Sequence, residues 1–136
     1  MCKKEKKNSN NYPLYNEIQR TLGLYKSGNL ASAKKSAEKI ARDYPREPLA
    51  LNILGTINAE SGNFQDAIAA FQKLRDIETD NIDAMYNLGH AFSAIGEHKK
   101  ALEQFKSILE TDPSEFDAYK CIADTFSELE NFESAI

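Results

Sequence analysis

The chain has 136 residues, 41% of them hydrophobic and 28% charged, which suffices for one soluble domain with a buried core. Its net charge of −4 is unevenly spread: residues 1–11 (MCKKEKKNSNN) hold four lysines and one glutamate, a balance of +3, so the remainder carries −7. A body that acidic lacks the basic footprint of nucleic-acid binding, and no apolar run approaches the ~20 residues of a membrane-spanning helix.

In chain order, residues 1–12 read as a disordered basic tail. Cys2 lies in this tail and Cys121 in a helical pattern, so no bridge between them is expected, which points to a reducing, cytoplasmic compartment. A cysteine followed by a short polar linker is also how a mature bacterial lipoprotein begins, and Cys2 would then anchor the chain to the cell envelope by lipid. From residue 13 onward, six glycines and four prolines in the whole chain leave long uninterrupted helical patterns. These predict helices over 13–27 and 30–43, 48–61 and 64–78, 82–95 and 98–110, 116–129 and from 132 on.

The same residues recur every 34 positions. Gly28-Asn29, Gly62-Asn63, Gly96-Glu97 and Glu130-Asn131 fall in step, each predicted to break one helix from the next; glycine ends the first, and Asn63 is expected to cap the second through its side-chain oxygen. Leu54-Gly55, Leu88-Gly89 and Ile122-Ala123 form a second column, with Leu51, Met85 and Tyr119 three residues earlier. Ala33, Ala67 and Ala101 form a third, and Ala37, Phe71 and Phe105 a fourth. Small residues at Gly55 and Gly89, facing Ala67 and Ala101, let two helices approach closely, and the rings of Phe71 and Phe105 fill the space beneath. Phe92 and Phe126 share an aromatic column from which Asn58 departs, and Pro113 marks a turn between units where Thr79 stands one unit earlier.

This arrangement resembles the tetratricopeptide repeat (TPR) family, whose 34-residue unit carries Leu-Gly, an aromatic, Ala, an aromatic and Pro at these places. The resemblance covers about residues 14–136 and is strongest over 82–115, where Met85, Leu88, Gly89, Phe92, Ala101, Phe105 and Pro113 all fit. The first unit is degenerate, with Arg20-Thr21 where Leu-Gly is expected. The resemblance implies an all-α fold: a right-handed superhelical α-solenoid of about three and a half stacked helix–turn–helix units, at 14–47, 48–81, 82–115 and 116–136, the last truncated. With its second helix cut short, unit four is expected to leave Phe126 poorly covered.

The resemblance also implies a concave groove lined by the first helix of each unit. Helical geometry assigns to it Tyr15, Ile18, Gln19, Leu22, Tyr25 and Lys26 in unit one, and Leu49, Asn52, Ile53, Thr56 and Glu60 in unit two. Unit three adds Asp83, Tyr86, Asn87, His90 and Ser93, and unit four Asp117, Lys120, Cys121, Asp124 and Glu128. This lining is apolar and aromatic at its N-terminal end and polar to acidic at the other, which suits a peptide or helix with an apolar stretch followed by basic residues. The alternative use of Tyr15, Tyr25 and Tyr86 is to cover seams between helices. The carboxylate clamp of chaperone-binding members is excluded, because Ile18, Leu22 and Ile53 stand where that clamp has Lys or Asn. The asparagine ladder of the O-linked glycosyltransferase type finds one rung, Asn87, with Gln19, Ile53 and Cys121 at the equivalent places.

Nothing in the sequence assembles a catalytic constellation. His90 and His98 lie eight apart without a cysteine or further histidine at ligand spacing, so neither a metal nor a cofactor is expected. The glycine–asparagine pairs belong to no phosphate-binding motif. The reading is a non-enzymatic protein–protein interaction module. Its alternatives are the N-terminal arm of a larger transferase of glycosyltransferase or sulfotransferase type, or a scaffold that self-assembles through the uncapped C-terminal end.

Overall fold

The computed structural model describes the backbone of residues 2–134 and the side chains of residues 13–131; the disordered tail expected over 1–12 lies outside the residues whose side chains are described. Among the described residues the chain forms seven α-helices and no strand: α1 (Cys2–Lys26), α2 (Leu30–Asp43), α3 (Pro48–Glu60), α4 (Phe64–Ile77), α5 (Ile82–Ala94), α6 (His98–Thr111) and α7 (Phe116–Ser134). Each helix packs chiefly on its neighbours in sequence, with α3 also touching α1 and α5. The result is a linear stack in which burial is supplied unit by unit.

The turns inside the units are made by glycine. Gly28, Gly62 and Gly96 have φ of 84°, 81° and 83°, a left-handed backbone that side-chain-bearing residues rarely adopt. Around Gly62 the N–H of Asn63 donates to the carbonyl of Asn58 at 2.7 Å and that of Gly62 to Ala59 at 3.1 Å, closing the end of α3; the N–H groups of Asn29 and Glu97 repeat the first of these bonds, to Leu24 and Phe92, at 2.9 Å each. Asn63 therefore works through its backbone. The expected side-chain cap is not made, and its φ of −87° and ψ of 67° serve the tight turn instead of an N-cap's extended geometry. Side-chain caps appear between units, where Asn81 Oδ1 accepts from the N–H of Ala84 at 2.9 Å and a Glu47 carboxylate oxygen accepts from Leu49 at 3.3 Å.

Unit four departs from the predicted break. α7 runs without interruption through Glu130 and Asn131. Glu130 occupies the place of the turn glycines, and its Cβ makes the required positive φ costly, so the helix continues.

Close approach within the units rests on paired sizes. A Cβ on Gly55 would overlap the ring of Phe71, and one on Gly89 the ring of Phe105. Phe71 and Phe105 are themselves buried, beside Ala67 and Ala101 at zero exposure. Unit one solves the same contact differently. Thr21 stands in the glycine column, fully buried, and Ala37 replaces the phenylalanine opposite it. The Thr21 hydroxyl is satisfied by the carbonyl of Glu17 at 2.7 Å and the Ser36 hydroxyl at 2.5 Å, which is why a polar residue is tolerated there. Leu88 and Phe92 complete the core of unit three, Leu54 is half-buried, and Pro113 lies exposed in the turn before α7.

Candidate functional site

The first helices of the units turn one face to a shared groove, and two hollows in it meet at His90. One, of about 250 Å³, lies between α3 and α5 and is lined by Thr56, Glu60, Phe64, Phe71, Asn87 and His90, with Ala59 and Ala91 as its small walls. The other, of about 210 Å³, lies between α5 and α7 and is lined by His90, Ser93, Phe105, Cys121, Asp124, Thr125 and Glu128. The edges of the two core phenylalanines therefore form apolar floors, and carboxylates stand at the rims: Glu60 over the first, Asp124 and Glu128 over the second. His90 is exposed between them, its ring stacked 6.4 Å from that of Tyr86 and edge-on to Phe105 at 5.4 Å.

Two of the three groove tyrosines are tied across unit boundaries. The Tyr25 hydroxyl donates to a Glu60 carboxylate oxygen at 2.9 Å, joining α1 to α3, and the Tyr86 hydroxyl donates to Glu115 at 3.2 Å, joining α5 to the start of α7. Burial, then the bond and negative charge of Glu115, push the Tyr86 phenol up to about 12, so it stays a neutral donor. The hydrogen bond to Glu60, then burial and that carboxylate's charge, raise Tyr25 as well. Both rings thus span seams while facing the groove; Tyr15 is 57% exposed and makes no such tie among the described residues.

The remaining candidates are spread out. Asn52 lines a hollow of about 380 Å³ with Pro48, Leu49, Asn81 and Asp83, further along the α3–α5 boundary. Ile18 and Leu22 are half-buried, and Gln19 and Lys120 are exposed, all outside the two hollows that share His90. Ile53 is corrected from the groove to the core: it is buried against Ala33, Ala37 and Ile57. Phe126 is 46% exposed, so it does not pack as its counterpart Phe92 does. Glu115 was not among the candidates; it sits in the loop ahead of α7, and no periodicity links a loop carboxylate to a tyrosine 29 residues earlier.

Burial, with the charges of Asp124 and Asp117 adding to it and Lys120 opposing, raises the Cys121 thiol, so little thiolate is present for nucleophilic attack. Among the described residues no three His, Cys, Asp or Glu side chains converge in a metal-holding group, and no described helix is long and apolar enough to cross a membrane.

Comparison with known proteins gives this geometry a family. Family models described as tetratricopeptide repeat match residues 22–82 and 58–135. The Protein CTR9 homolog of Arabidopsis thaliana is 26% identical over 88 residues, 60% of this chain, which spans 8% of that protein's length. Among solved structures, MamA superposes with a TM-score of 0.82 at 26% identity, covering 96% of this chain and 70% of that one. The first TPR domain of Spaghetti (RPAP3), solved with an HSP90 peptide, superposes at 0.77 with 17% identity, over 84% of this chain and 90% of that one, a likeness of fold. The repeat columns, the seven-helix stack and these matches agree, and the chain belongs to the tetratricopeptide repeat family.

Proposed function

We propose that the chain is a non-enzymatic protein-interaction module that holds an extended peptide in the groove of its first helices. The observation that carries this reading is the junction at His90, where two hollows with aromatic floors and acidic rims adjoin. Ring edges accept aliphatic or aromatic side chains, and Asp124 and Glu128 suit a lysine or arginine. The half-buried Ile18, Leu22 and Tyr25 continue an apolar lining towards the N-terminal end. A ligand with an apolar stretch followed by basic residues matches that order. The peptide held by the RPAP3 domain supports the mode of binding in general; its sequence, SRMEEVD, ends in acidic residues, the opposite charge to the one proposed here.

The test is selection from a displayed peptide library followed by fluorescence anisotropy. Enriched apolar-then-basic peptides should lose affinity about tenfold or more on Asp124→Lys with Glu128→Lys, since like charge now meets like. Tyr86→Ala with Asn87→Ala should weaken every enriched peptide. Full binding by both double variants would remove the groove from consideration.

A second reading, assembly of copies of this chain through α7, is favoured by the exposure of Phe116 (77%), Tyr119 (52%) and Phe126 on one helix. Light scattering across a concentration series tests it, and a monomer at high concentration with Phe126→Ser unchanged from wild type counts against it.

A further inference from the structure

Away from the groove, a hollow of about 330 Å³ opens between α2 and α4 above α3. Leu51, Leu54 and Asn58 form its floor, on the face of α3 opposite Asn52, Thr56 and Glu60. Asn58 is 5% exposed, and its Oδ1 is buried with no hydrogen-bond partner among the described residues. An acceptor left unpaired at such depth costs free energy until a donor reaches it.

The next unit shows how this place is ordinarily closed. Phe92 stands 34 residues after Asn58 and fills the equivalent space, with Lys100 Nζ 5.8 Å from its ring centre. Arg75 Nη1 then donates to Gln104 Oε1 at 2.6 Å, clasping α4 to α6. At the hollow all four parts are exchanged: Asn58 for the phenylalanine, Asp66 for the lysine, and Ala41 and Ala70 for the clasp. The ring is missing, the largely buried Asn58 stands at the ring's place in the repeat, and alanines line the mouth. The rim carries Lys34, Glu38, Asp66 and Lys73, and none of them is in an ion pair within the described residues.

We propose that this hollow is a second binding site, for a tyrosine side chain presented by a partner peptide. The ring replaces the phenyl group that unit three supplies for itself, the phenol hydroxyl donates to the amide of Asn58, and rim charges of both signs pair with residues flanking the tyrosine. At roughly 300–1,000 Å³ for small-ligand pockets, the volume is at the low end, right for one ring and its backbone. The site is independent of the groove, and neither depends on the other being occupied.

The probes are 4-methylphenol, which is the tyrosine side chain, toluene, which is that of phenylalanine, and a pentapeptide with tyrosine between lysine and glutamate. Each is titrated into the isotope-labelled chain and followed by amide NMR shifts. In the wild type, 4-methylphenol should move Asn58, Leu54 and Ala70 and bind roughly three- to tenfold more tightly than toluene, the preference one net hydrogen bond gives. Asn58→Leu should abolish that preference. Asn58→Phe should abolish binding and raise Tm, because the cavity is filled as in unit three. Ala41→Arg with Ala70→Gln rebuilds the clasp at the mouth without touching the floor, and should also block binding. The pentapeptide should bind more tightly than 4-methylphenol. No shifts at these residues, equal binding of the two small probes, or binding unaffected by the rebuilt clasp overturns the site. A pentapeptide no tighter than 4-methylphenol overturns a partner peptide as the occupant.

Discussion

α5 and α7 carry the same columns of residues and meet opposite fates. On α5, Met85 and Phe92 are 1% and 5% exposed and Gly89 lies under the ring of Phe105, because α6 folds back over them. On α7 the matching Tyr119 and Phe126 are about half exposed, and Ala123 is exposed where Gly89 is buried. Phenylalanine stands at both 92 and 126, so the difference there comes from the neighbour. In these columns a position becomes core only when the following helix covers it, while Ala118 and Thr125 of α7 are buried by the preceding α6, as expected of a one-dimensional stack.

The largest effect should therefore fall on the covered side. Phe105→Ala should cost about 3–5 kcal/mol in urea unfolding, whereas Phe126→Ala, already half in water, should cost less than about 1 kcal/mol. Comparable losses would mean that α7 is covered in solution, and the comparison would fail. Next comes the small residue between helices. Gly89→Ala forces a methyl into the Phe105 ring and should cost about 1–3 kcal/mol, more than the helix propensity of alanine returns. The reverse change on the open face, Ala123→Gly, should cost only about 0.5–1 kcal/mol through backbone entropy. Of similar size is Glu130→Gly, which restores the turn residue that α7 lacks. It should end the helix near 129, visible as lost helical carbon shifts beyond that residue, for about 1 kcal/mol. A helix that still ran through 131 would show that something other than Glu130 keeps it going.

These contrasts also explain how much was legible beforehand. The six predicted starts at 30, 48, 64, 82, 98 and 116 coincide with observed helices, because Gly28, Gly62, Gly96 and the caps at Glu47 and Asn81 act locally. The pairing of Gly89 with Phe105 was readable for the same reason: one unit repeats the other. What escaped was non-periodic. Helical angle assigns Ile53 to the groove, but degenerate unit one, with Ala37 where later units carry phenylalanine, draws it inward. Asn63 carries a capping residue's chemistry, yet the glycine turn before it fixes a backbone that leaves its side chain unused. Groove residues such as Asn87 and Asp124 obey no packing column, so their convergence at His90 required coordinates. The partners Glu60 and Glu115 sit in different elements from their tyrosines, and nothing local announces them.

The bond between Tyr86 and Glu115 joins the two regions, since it runs from covered α5 to the start of α7. The Tyr86 phenol is raised to about 12 from an ordinary value of 10, so the folded state favours its neutral form. Its contribution is complete below pH 10, declines as the unfolded chain begins to ionise, and is lost as pH rises through about 12. Between those limits the wild type should lose stability faster with pH than Tyr86→Phe, which has no proton to lose there. Other tyrosines and lysines titrate in both proteins, so the difference between their urea midpoints from pH 9 to 12 isolates Tyr86. Glu115→Gln should shrink that difference without erasing it, because burial remains after the carboxylate is gone. The same variant should loosen α7, read as faster amide exchange at 118–125, while α5 stays protected by α6. Parallel pH curves for wild type and Tyr86→Phe would mean that the hydroxyl does not hold the open end of the stack to its covered core.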